Sequence, residues 1–67
     1  MYRINVSQNG SYVFHADEPT QLSFVKAHDL IKKKFPKKEG FVIDVMEIET
    51  TCTIVSEERI KIMKKGA

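Results

Sequence analysis

Cys52, His15 and His28 are the side chains of this sequence best suited to covalent or metal chemistry. A thiol beside an imidazole can act as nucleophile and base, and imidazole with thiolate can hold zinc. Neither use fits the spacing. Two histidines and one cysteine are a poor zinc set, and no two of them stand at ligand spacing. The charges nearest Cys52 are Glu47, Glu49 and Glu57, the wrong sign to favour a thiolate. Cys52 therefore reads as a small buried hydrophobe in a β-rich run. His28 falls at the border of a helical apolar stripe and reads as a packed side chain, while His15 falls on the outer face of a strand. Glu47 and Glu49 share a strand face, but paired carboxylates do acid–base work only in a shaped, partly dry site. The chain holds three glycines, with no glycine-rich phosphate loop and no serine elbow. The sequence thus predicts no catalytic residue, no metal ligand and no cofactor.

One charged cluster carries a functional reading. Lys32, Lys33, Lys34, Lys37 and Lys38 surround Phe35 and Pro36, an arrangement able to contact phosphates. Lysine supplies charge but little base readout, which prefers the arginine fork. The bland alternative is a solvated helix end followed by a polar loop. A net charge of +2 is too small to imply nucleic acid by itself, but it is unevenly spread. From Phe41 to Glu58 every charge is acidic, and from Arg59 onward every charge is basic. Lopsided surfaces steer partners.

These residues need a frame, and the 67-residue length bounds it. One domain over residues 1–67 is expected, small enough for its stability to be marginal and its core to leave no room for a deep, walled pocket. A small-molecule substrate is not expected. A single cysteine fits a reducing cytoplasm, and neither the opening Met1-Tyr2-Arg3-Ile4-Asn5 nor any later run reads as a signal or membrane segment.

Residues 2–7 alternate apolar and polar, as a half-buried strand does. A second strand over residues 11–16 follows. A three-residue Gln8-Asn9-Gly10 loop would pair Val6 with Tyr12 and Ile4 with Phe14, gathering the apolar side chains on one face. A two-residue Asn9-Gly10 turn would instead leave both aromatics beside Arg3, so the three-residue loop is preferred. Asp17-Glu18-Pro19-Thr20 then offers a cap, early negative charge and a first-turn proline. The helix that follows carries Phe24, Ala27, Ile31 and Phe35 on one stripe, with Leu30 on its edge and Leu22 and Val25 on the far side. Lys32 to Lys34 suit its last turn, and Pro36 ends it.

The segment Phe41 to Ile48 is the most telling. Phe41, Ile43 and Val45 point one way, while Val42, Met46 and Ile48 point the other. Such a strand expects cover on both faces. Residues 50–55 read as a returning strand. The run from Ser56 to Gly66 reads as a short helix, with a serine first, then acids, then lysines; the alternative is a strand, in which Ile60 and Ile62 alternate with Arg59 and Lys61. If that helix covers the second face, Val42, Met46 and Ile48 meet Ile60 and Met63; otherwise they form an exposed apolar patch with Val13.

The predicted fold is α+β, ordered ββαββ(α), with one four-stranded antiparallel sheet in the order 2-1-3-4, a helix on one face and a short C-terminal helix. The expected function is that of a non-enzymatic interaction module, a regulator or inhibitor of the size common among bacterial and phage accessory proteins. It would bind another protein or dimerise through Val13, His15, Val42, Met46 and Ile48. The alternative is nucleic-acid binding through Lys32, Lys33, Lys34, Lys37 and Lys38.

Overall fold

A computed structural model describes residues 1–66. The elements run β1 (Tyr2–Gln8), β2 (Ser11–Glu18), α1 (Gln21–Lys34), a 3₁₀ turn (Lys37–Glu39), β3 (Phe41–Ile48), β4 (Cys52–Ile54) and α2 (Glu57–Gly66). The strands form one antiparallel sheet in the order β2-β1-β3-β4. Hairpin, helix, hairpin was the order read from the alternation, and it is the order observed. No helix of the described residues is long and apolar enough to cross a membrane.

The core lies on one side of this sheet. Ile4 and Val6 of β1 sit opposite Val45 and Ile43 of β3. Ile4, Val6 and Val45 are buried together with Phe24 and Val25 from α1, Val55, and Ile60 and Met63 from α2, and the half-buried Ile43 packs against them. Both helices therefore cover the same face. Phe24 stacks on Tyr2 with ring centroids 4.9 Å apart, and Phe35 lies between Phe14 and Phe41 at 5.2 and 5.1 Å. Those aromatic pairs fasten the two ends of α1 to the sheet.

Three local expectations are corrected. The first hairpin has a two-residue turn, with Gln8 opposite Ser11, and Asn9 and Gly10 both at positive φ (51° and 84°), as a type I′ turn requires. That turn alone would put Phe14 on the wrong face. A β-bulge at Val13 inserts one extra residue, so Phe14 pairs with Val6 and Ala16 with Ile4, while Tyr12 pairs with Ser7 and faces outward. Secondly, α1 starts later than expected: Asp17 and Glu18 belong to β2, and Thr20 is the cap, in a capping box with Ser23. Thirdly, Val25 is only 8% exposed, because α2 packs against that side of α1. Leu22 and Leu30 remain exposed.

Gly40 closes the 3₁₀ turn at φ +87°, with its carbonyl accepting the Asn9 N–H at 3.0 Å. A Cβ there would be held in the left-handed region and driven into the Asn9 carboxamide. Gly40→Ala is expected to destabilise the fold by about 1–2 kcal/mol. Gly10→Ala, at φ +84° with nothing near the new methyl, should cost less. Urea midpoints of the two variants against wild type check the order.

Candidate functional site

The sheet's outer face is uncovered, and cross-strand register shows how it is laid out. One row runs Asp17, Arg3, Met46, Ile54; the next runs His15, Asn5, Asp44; a third runs Tyr12, Ser7, Val42; and Ile48 lies opposite Cys52. Met46, Ile48 and Ile54 thus cluster on the β3–β4 half, with Val42 beyond Asp44. Val42 is 48% and Ile54 82% exposed. Of the residues read from the sequence, Met46 and Ile48 come together here, and Val42 shares their face with Asp44 between. His15 and Val13 lie on β2, two strands away, and Val13 is the bulge residue. Ile54 was missed. Adjacent apolar residues in a strand must face opposite ways, and Val55 takes the buried side, so that signal was present.

The β1–β2 half is polar and internally hydrogen-bonded. Arg3 donates to both Asp17 carboxylate oxygens, at 2.7 and 3.1 Å, and this pairing holds the Asp17 carboxyl below its ordinary range. The Tyr12 hydroxyl lies 2.6 Å from His15 Nδ1, and His15 Nε2 lies 4.0 Å from Asp17. Tyrosine, imidazole and carboxylate stand in sequence, but they stand open to water, where such a chain gains little catalytic force.

Cys52 is exposed, which corrects the reading of it as a buried hydrophobe. It sits on β4 and His15 on β2, the two edges of the sheet, three strand spacings and four residues of strand apart, or about 19 Å. His28 lies across the sheet from Cys52, among the core side chains. Among the described residues, no three of the histidines, cysteine and carboxylates gather around a common point.

On the helical side, a groove of about 450 Å³ opens between the C-terminal half of α1 and the start of α2. Its floor includes Phe41, Ile43 and Val45, its walls Phe35 and Ile60, and four lysines line it: Lys32, Lys37, Lys61 and Lys64. The lysine cluster read from the sequence is therefore divided. Lys32 and Lys37 face the groove, whereas Lys33, Lys34 and Lys38 are exposed and do not line it. Two ion pairs seat α2 beside the groove. Lys64 Nζ lies 2.6 Å from Asp29 on α1, and Arg59 lies 2.9 Å from Glu47 on β3. Both pairs are solvated, so they orient the helix more than they stabilise it.

No protein-family model matches this chain, and comparison with curated proteins and with solved structures finds no match.

His28, 6% exposed, lines the groove with its Nδ1 buried and without a hydrogen-bond partner among the described residues. Burial, then Lys64 and Lys32, hold this imidazole below its ordinary pKa of 6.5, against the opposite pull of Asp29 and Glu57. The unfolded chain therefore takes up this proton first. The stability that neutral His28 contributes is complete above pH 6.5 and is lost as pH falls through its folded pKa. Asp29 and Glu47, held low by Lys64 and Arg59, lose their contributions only at more acidic pH, below ordinary values of 3.8 and 4.5. Urea midpoints should fall between about pH 7.5 and about pH 5. The slope in that window should flatten in His28→Leu. An equal slope in the variant would remove His28 as its source.

Proposed function

We propose that this chain is a non-enzymatic cytoplasmic interaction module, binding another protein or a second copy of itself through the outer face of its sheet. The observation behind this reading is that both helices cover one face, leaving Val42 and Ile54 exposed and Met46 and Ile48 half-buried on the other. Apolar side chains left in water favour burial against a partner. Beside them, Arg3–Asp17 and Tyr12–His15 supply the polar border that interfaces place around an apolar centre. The exposed single thiol of Cys52 fits a reducing compartment.

The test is sedimentation equilibrium together with binding of an anilinonaphthalene dye. Wild type should associate at high concentration or bind the dye. The variant Ile54→Asp should lose most of either signal and keep its melting behaviour, because that side chain is 82% exposed in the monomer. A strictly monomeric wild type with no dye-reactive surface would overturn the proposal. So would salt-sensitive retention on heparin that Lys32→Glu, Lys33→Glu and Lys34→Glu abolish, since that result belongs to nucleic-acid binding.

A further inference from the structure

The groove between α1 and α2 has one side made of unused backbone. β4 pairs only with Met46, Glu47 and Ile48, and the last contact along that edge is the Val55 N–H donating to the Val45 carbonyl at 2.9 Å. Beyond it the chain turns off the sheet into α2. Backbone groups along a strand point alternately to its two neighbours. Val45 points toward β4, so Ile43 and Phe41 point the same way, toward a lane that no strand among the described residues occupies. From Phe41 to Val45 that lane is about 13 Å long at the usual rise per residue. Unpaired strand edges are templates for another strand.

The surroundings of the lane select what would enter it. Its floor is apolar, through Phe41, Ile43 and Val45, with Ile60 on the wall, and its rim carries four lysines against two carboxylates, Asp44 and Glu57. Lys64 is engaged by Asp29, while Lys32, Lys37 and Lys61 have no carboxylate within 4.0 Å among the described residues. His28 adds an unpartnered buried nitrogen at the inner wall.

We propose that this groove is a strand-addition site for an extended, acidic segment of a partner protein. The segment's backbone pairs with Ile43 and Phe41, its apolar side chains lie on the floor, and its carboxylates meet Lys32, Lys37 and Lys61. Main-chain pairing supplies affinity and the side chains supply choice, as in other strand-addition complexes. This site lies at the β3 edge, mainly on the helical side; Val42, Asp44 and Ile54 at its rim are shared with the outer face, whereas Met46 and Ile48 do not line it.

The test uses the full chain, isotope-labelled, titrated with a capped hexapeptide of alternating valine and glutamate. The amide signals of Phe41 and Ile43 should move most and exchange more slowly with solvent. The same peptide methylated on alternate backbone nitrogens should lose binding, because it cannot donate to the edge. Lys32→Glu/Lys61→Glu, two exposed positions, should weaken binding about tenfold at low salt. Met46→Asp should leave it unchanged. Three results would overturn the proposal: shifts confined to Val42, Met46 and Ile48, full binding by the methylated peptide, or equal binding by a valine–lysine peptide. Laurate producing the same shifts at lower concentration would also overturn it, by making the groove a site for small amphiphiles.

Discussion

Phe24→Ala should leave this chain unfolded at 25 °C. Phe24 is fully buried, stacks on Tyr2, and lies with its ring centroid 5.6 Å from that of His28. It joins the α1 side of the core to Ile4 and Val6. Truncating a buried phenylalanine costs about 3–5 kcal/mol, from lost transfer energy and the cavity left behind. A domain of this size has about 3–10 kcal/mol in total, and below about 70–80 residues a core rarely supplies more than about 3–5. The loss therefore matches the whole reserve. Far-UV circular dichroism and amide dispersion check it directly. Leu22→Ala and Leu30→Ala, on the same helix but exposed, should stay within about 0.5 kcal/mol of wild type. A folded Phe24→Ala with an unchanged urea midpoint would mean that the core is not centred on this ring.

Ending the chain at Ser56 should have a comparable effect. That cut removes Ile60 and Met63, both buried against the sheet and α1. Fully burying a side chain of this kind contributes about 1.5–3 kcal/mol, so about 3–6 kcal/mol is lost. The cut also opens Val25, Val55 and His28 to water, and it removes the Lys64–Asp29 and Arg59–Glu47 pairs. The cooperative urea transition should disappear. If the shortened chain instead kept a cooperative transition and native amide dispersion, α2 would be an accessory and the core would belong to α1 and the sheet alone. Ile62→Asp is the control, because Ile62 lies on the same helix and points to solvent.

Alternation in residues 2–7, the two-sided apolar run over 41–48, the helical stripe through Phe24 and Phe35, and the proline after it were enough to place the strands, α1 and the sheet order. The C-terminal helix was legible from its serine, early acids and late lysines, and the Ser56 hydroxyl does accept the Arg59 N–H at 3.2 Å. These features are local: side-chain direction repeats every two residues in a strand and every 3.6 in a helix. The outward direction of Val42, Met46 and Ile48 was legible for the same reason.

What tertiary structure decided was who meets whom. Periodicity orients Ile60 and Met63 on one side of α2, but it does not say which face of the sheet that side meets. The placement of α2 beside α1 buried Val25, left the outer face bare, and made a groove from two helices and a strand edge far apart in sequence. In the first hairpin, Asn9-Gly10 favoured a two-residue turn while the apolar residues favoured the register of a longer loop. A single unpaired residue, Val13, satisfied both. An inserted residue leaves no mark on a pattern of period two until the strand beside it is known, which is why sequence determined the elements and their faces, and packing alone determined the surfaces.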